Sequence, residues 1–108
     1  MYSIYALGDP RDNTLRYVGF SSNVPWRYEY HQWDRWTNET KFEWITELKQ
    51  VGSYPAMLIL ETGIVDEKEA RRREEHWIQL YTDAGMPLCN RKAGAPSLEQ
   101  LNLLKKNT

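Results

Sequence analysis

Tyr2-Ser-Ile-Tyr-Ala-Leu-Gly-Asp-Pro-Arg-Asp-Asn-Thr-Leu-Arg-Tyr-Val-Gly-Phe20 is the stretch that decides the fold. Residues 2–7 are aromatic, aliphatic and β-branched, and Gly8-Asp9-Pro10 stops them, which is the pattern of a strand and its turn. Residues 15–20, Leu-Arg-Tyr-Val-Gly-Phe, read as a second strand. The residues between are rich in turn formers, so the economical connection is an antiparallel hairpin. Setting Tyr5 opposite Tyr17 places Leu7 against Leu15 and Ser3 against Gly19. Side chains alternate with a period of two, so both tyrosines fall on one face of the sheet.

Working outward, Asn23 is a suitable cap for a first helix, with Pro25 tolerated in its first turn. Trp26, Tyr30 and Trp33 share one side of that helix, and Arg27 and His31, four apart, form a neighbouring stripe. Thr40-Lys-Phe-Glu43 resembles a capping box opening a second helix, with Trp44, Leu48 and Val51 along one side and an end at Gly52. The continuous apolar run Ala56 to Leu60 is expected to be a strand covered on both faces. Asp66 and Glu69 form the opening pair of a third helix, with Val65 and Ala70 as its hydrophobic staple and an end near Tyr81. Ser97-Leu-Glu-Gln100 suits the start of a short tail helix carrying Leu98, Leu101 and Leu104. The order is ββααβα plus that tail. This is an α/β (α+β) sandwich with a mainly antiparallel sheet, with one domain over residues 1–94 and a tail over residues 95–108.

Composition narrows the function classes. The 108 residues include five tryptophans, seven tyrosines and two phenylalanines, and such rings bury much area in a short chain. No apolar stretch is long enough to cross a bilayer, and the first residues lack the charged start and apolar segment of a secretion signal. Cys89 is alone, which removes an intrachain disulfide and a cysteine metal cluster and suits a reducing, cytoplasmic setting. Fourteen basic and 15 acidic residues leave a net charge of −1, so any affinity for nucleic acid must come from a local patch or another domain.

Glu74 is the most informative single position. Ala70, Trp77 and Tyr81 cluster on one face of the third helix with Ile78 beside them, and Glu74 falls within that arc. A carboxylate aimed at a core must be paired or hold a cation. Two readings stand: an ion pair with a base such as Arg27, or a ligand for a divalent metal, since Mg²⁺ is often held by only one or two carboxylates. Arg27 and His31 are either a surface arginine and a half-buried histidine on an aromatic helix, or a two-point clamp for a phosphate with a proton carrier beside it. Tyr5 and Tyr17 are either paired core rings or phenols able to act on a water. Arg71-Arg72-Arg73 is a solvated face, although Arg73 lies near the buried arc and could join Arg91 and Lys92 in a basic track along a nucleic-acid backbone. His76 faces away from Glu74, and Asn90 is a turn residue or an anchor for the end of the domain. The chain contains no glycine-rich phosphate loop, HExxH motif or nucleophile elbow.

The order and spacing of these groups resemble the GIY-YIG nuclease family over about residues 2–94. Ser3-Ile4-Tyr5 stands at the first name motif and Tyr17-Val18-Gly19 at the second. Arg27 and His31 match the family's helix-borne pair, Glu74-Glu-His-Trp77-Ile78 its acidic segment, and Leu88-Cys-Asn90 its closing asparagine. Phage-type and homing-endonuclease members look most similar. Ser3 replaces a glycine, and Phe20 stands where many relatives carry a lysine or another polar residue. The resemblance implies a three-stranded antiparallel sheet flanked by helices and a metal-dependent DNA endonuclease. Mg²⁺ or Mn²⁺ would be bound through Glu74 and Tyr5 would be the general base, with Tyr17 or His31 assisting. Arg27 would hold the phosphate and Asn90 the architecture. The implied partner is duplex, nicked or branched DNA rather than RNA, in a bacterial cytoplasm or in a host cell if phage-encoded. The alternative is a catalytically weak or inactive module that binds nucleic acid or a protein partner.

Overall fold

The structure is a computed structural model in which residues 1–34 and 37–90 are described. Two strands, β1 (Tyr2–Asp9) and β2 (Thr14–Ser21), precede two helices, α1 (Val24–Trp33) and α2 (Glu39–Gln50), and then β3 (Ala56–Ile64) and α3 (Glu67–Asp83). The expected order and the three-stranded antiparallel sheet are both present. The tail helix, Arg91 and Lys92 lie outside the described residues.

The hairpin register differs from the sequence expectation by two residues. Tyr5 faces Gly19 and Leu7 faces Tyr17, while Ser3 faces Ser21. The strands run on to Asp9 and Thr14, and the turn is correspondingly tight. Asn13 closes it with φ 60° and donates its N–H to the Asp9 carbonyl at 2.8 Å. An even offset keeps every side chain on its face. Tyr5 and Tyr17 therefore do share one.

The sheet order is β2-β1-β3, which makes β1 the central strand and corrects the reading of Ala56 to Leu60. That run belongs to an edge strand, and Leu58 and Ile59 are exposed. The strand buried from both sides is β1, whose residues Ile4 to Asp9 are all buried. Its alternation divides the core. Ile4 and Ala6, with Val18, pack against Ala70 and Ile78 of α3, whereas Tyr5 and Leu7 pack against Trp44, Ile45 and Leu48 of α2.

Caps set the helix ends. Asn23 accepts from the Trp26 N–H as expected. The start of α2 is Asn38, which accepts from the Lys41 N–H, in place of Thr40. Its end is a Schellman turn: Ser53 N–H bonds the Leu48 carbonyl and Gly52 N–H the Lys49 carbonyl, with Gly52 at φ 74°. Val51 sits on that turn and is exposed rather than lining the core. Asp66 caps α3 through the Lys68 N–H, but Val65 is 80% exposed and forms no staple. Helix α3 runs on to Asp83 before Gly85 ends it at φ 86°.

Candidate active site

A cleft of about 300 Å³ opens beside the end of the hairpin, lined by Tyr5 of β1, Tyr17 and Gly19 of β2, Arg27 of α1 and Glu74 of α3, with Phe20 and Trp26 at its rim. Groups from both layers meet there because Gly19 has no side chain. A Cβ on Gly19 would stand 2.6 Å from Tyr5 Cζ and 3.1 Å from Tyr17 Cε1. The glycine is required by the phenol crossing over it, since its backbone is not in the left-handed region.

Each cleft group is electrostatically displaced. Burial, then the neighbouring Glu75, raises Glu74 to about 7, against Arg71, Arg27 and the Phe20 backbone N–H. Among the described residues no ion pair joins Glu74 to a base, so the salt-bridge reading of this acid is not realised. Burial and Tyr17 push the Tyr5 hydroxyl well above its ordinary value, with Arg27 pulling the other way. Burial and Glu74 raise Tyr17. Burial works against the charge on Arg27, but hydrogen bonding to Tyr5 and the nearby phenols outweigh it and raise its pKa. The guanidinium also lies 4.7 Å over the Tyr30 ring.

Arg27 and His31 part company. Arg27 reaches the cleft, whereas His31 is 0% exposed behind Tyr5, with its Nε2 2.5 Å from the Tyr5 hydroxyl oxygen. Its other ring nitrogen, Nδ1, lies 2.6 Å from Lys41 Nζ, and Lys41 is in turn 3.2 Å from Asp34 Oδ2. Burial first, then Lys41 and Arg27, lowers His31 to about 3, so the ring is neutral. The sequence reading passed over Lys41 and Asp34. A lysine near the start of a helix ordinarily lies in solvent, and its burial here depends on partners from another element.

Asn90 is an anchor. Its Oδ1 accepts from the Val18 N–H at 2.8 Å and its Nδ2 donates to the Val18 carbonyl at 2.7 Å. Cys89 N–H bonds the Arg16 carbonyl, and Asn38 Nδ2 bonds the Cys89 carbonyl. The segment therefore closes the free edge of β2 without entering the cleft. Arg73 is engaged by Glu61, its Nη2 2.5 Å and its Nε 2.8 Å from Oε1. Trp77 Nε1 bonds the same oxygen. Arg71 lies over the ring of Phe20, which brings a cation close to the position where relatives are expected to carry a lysine. His76 is exposed, as its place on the helix implied. A second hollow of about 530 Å³, lined by Tyr28, Glu29, Gln32, Lys49 and Tyr54, contains none of the cleft's four converging groups, Tyr5, Tyr17, Arg27 and Glu74.

A small α+β domain that gathers two phenols, a guanidinium and a carboxylate with no ion pair among the described residues into one cleft is equipped to handle a phosphodiester. The profile of the GIY-YIG catalytic domain matches residues 1–87, and the chain belongs to that nuclease family. Asn90 lies just beyond the matched segment. No curated protein and no solved structure matches the chain. Among the described residues no helix is long and apolar enough to cross a membrane.

Proposed function

We propose that the chain is a metal-dependent DNA endonuclease working through Tyr5, Tyr17, Arg27, His31 and Glu74, with Asn90 holding β2 in place. The observation that carries this reading is Glu74: a half-buried carboxylate raised to about 7, without an ion-pair partner among the described residues, facing two phenols and a guanidinium. An acid in that position is suited to a divalent cation. One carboxylate is enough for Mg²⁺ or Mn²⁺ when water and phosphate oxygens complete the shell, and among the described residues no group of three His, Cys, Asp or Glu offers a rival site. Such a cation supplies stabilisation of the charge that develops on the leaving 3′-oxygen.

The chain's own groups supply the rest. Arg27 holds the scissile phosphate and offsets the negative charge that grows on it. Tyr5 must first lose its own proton to solvent, against the burial that raises it, and then as phenolate takes a proton from a water whose oxygen bonds to phosphorus. The P–O bond to the 3′-oxygen then breaks, and that oxygen leaves with a proton from solvent. Tyr17 packs beside Tyr5 with ring centroids 6.4 Å apart and keeps the phenol facing the cleft. His31 supports Tyr5 from behind. Arg73 would add a flanking contact to the DNA backbone only after leaving Glu61; Arg91 and Lys92, proposed beside it, lie outside the described residues.

Supercoiled plasmid, branched and single-stranded DNA, and labelled RNA, each incubated with Mg²⁺, Mn²⁺ or EDTA, test the reading. Cutting of DNA that needs the metal and disappears in Arg27→Ala is expected. Binding without cutting in either metal would instead support the inactive module, which the net charge of −1 and the apolar Phe20 favour.

A further inference from the structure

Lys41 is 1% exposed and lies deeper than any other cation of the described chain, yet it does not line the cleft. Its Nζ touches His31 Nδ1 at 2.6 Å and Asp34 Oδ2 at 3.2 Å, and it lies 5.0 Å over the Tyr17 ring. We propose that Lys41 is a positioning residue that locks His31 in the Nε2–H tautomer, so that His31 donates to the Tyr5 oxygen and the phenolic proton is turned towards the cleft.

The argument follows from donor counting. An ammonium has only donors. Burial lowers Lys41 below its ordinary value, but the Asp34 carboxylate at 3.2 Å, which also accepts from the Thr37 N–H and hydroxyl, favours the ammonium. As the ammonium, with Nζ 2.6 Å away, Lys41 donates to Nδ1. A neutral imidazole has one ring proton, so it must sit on Nε2, the atom facing Tyr5 at 2.5 Å. His31 then cannot remove the Tyr5 proton. It gives its own N–H to the phenol oxygen and steadies a phenolate, while the phenolic proton leaves on the cleft side to solvent. The account of Tyr5 as base rests on the proposed function, but the tautomer does not.

With only two histidines in the chain, His31 and His76, imidazole ¹⁵N spectra of the intact protein read the tautomer directly. For the buried ring we expect Nδ1 without a proton and Nε2 protonated. Lys41→Met should release the lock, moving the proton wholly or partly to Nδ1, and lower the single-turnover cleavage rate at least about tenfold with little change in DNA affinity. A protonated Nδ1 in the wild-type ring overturns the proposal, as does a Lys41→Met ring with unchanged tautomer. Should Lys41→Met fail to fold, the wild-type spectrum still decides. A protein that cuts nothing in any metal would refute the nuclease reading and leave this spectrum to be judged alone.

Discussion

Glu74 is destabilising where it stands, and that is the clearest mark of use at the scale of the residue. Its folded pKa, about 7, lies above the 4.5 of the free side chain, so the native state binds the proton more tightly than the unfolded chain. The resulting stability is complete at low pH and is lost as pH rises through 7. Glu74→Gln removes this penalty. In metal-free buffer the variant is expected to melt a few degrees above wild type at pH 8 and level with it at about pH 4, below the unfolded value of 4.5, as scanning calorimetry would show. A gain independent of pH would contradict the buried-acid account. Gly19→Ala places a methyl group against Tyr5 Cζ. It should displace the phenol and cut the cleavage rate at least about tenfold through lost positioning, checked by single-turnover kinetics on a variant shown to be folded. Tyr5, Tyr17 and Glu74 were legible because strand and helix periods fix the faces they occupy. Lys41 was not, because its burial is decided by His31 and Asp34 across a gap between elements.

At the scale of the element, β2 depends on a residue 72 positions away. Asn90 satisfies both backbone groups of Val18, on the edge β2 would otherwise expose. Asn90→Ala leaves those groups without their side-chain partner, at a cost of about 1–3 kcal/mol. The melting temperature should fall by roughly 4 °C or more in a domain of this size. Cleavage at a temperature where the variant remains folded should fall less than in Arg27→Ala, since Asn90 does not touch the cleft. The hairpin was readable from alternating apolar and turn residues, but not its register. The longer strands and the tight turn at Asn13 shift the pairing by two while preserving the faces. The run Ala56 to Leu60 misled because continuous hydrophobicity measures burial only when both faces are covered. Here β1 holds the centre, leaving Leu58 and Ile59 exposed on the edge strand. The spacing of Thr40 and Glu43 imitated a capping box and hid Asn38, an equally good or better cap two residues earlier.

For the whole molecule, acid response follows from which groups the fold holds in one form. The guanidinium of Arg11 and the indole N–H of Trp44 keep buried Asp9 well below its usual range, so its contribution is present above 3.8 and lost as pH falls. His31 is lowered from 6.5 to about 3, so its stabilisation of the fold also decays as pH falls between those values. Glu74 runs in the opposite sense between 4.5 and 7 and has little further effect below that window. Stability should therefore drop most steeply from 3.8 down to about pH 3, where Asp9 and His31 act together. Circular dichroism melts across that range test this, and Asp9→Asn should flatten the drop while lowering the neutral-pH melting point. A net charge of −1 gives no long-range attraction to a polyanion, so the proposed affinity for DNA must come from a local patch or another domain rather than from the field of the whole chain.

The cleft's central claim is that one carboxylate carries the metal for phosphodiester cleavage. The most direct measurement is the single-turnover cleavage rate of a DNA substrate in Mn²⁺, wild type beside Glu74→Gln. The account predicts a wild-type rate abolished by EDTA and a fall of at least about a hundredfold in the variant, while its fold is retained. Equal rates in the two proteins would contradict it.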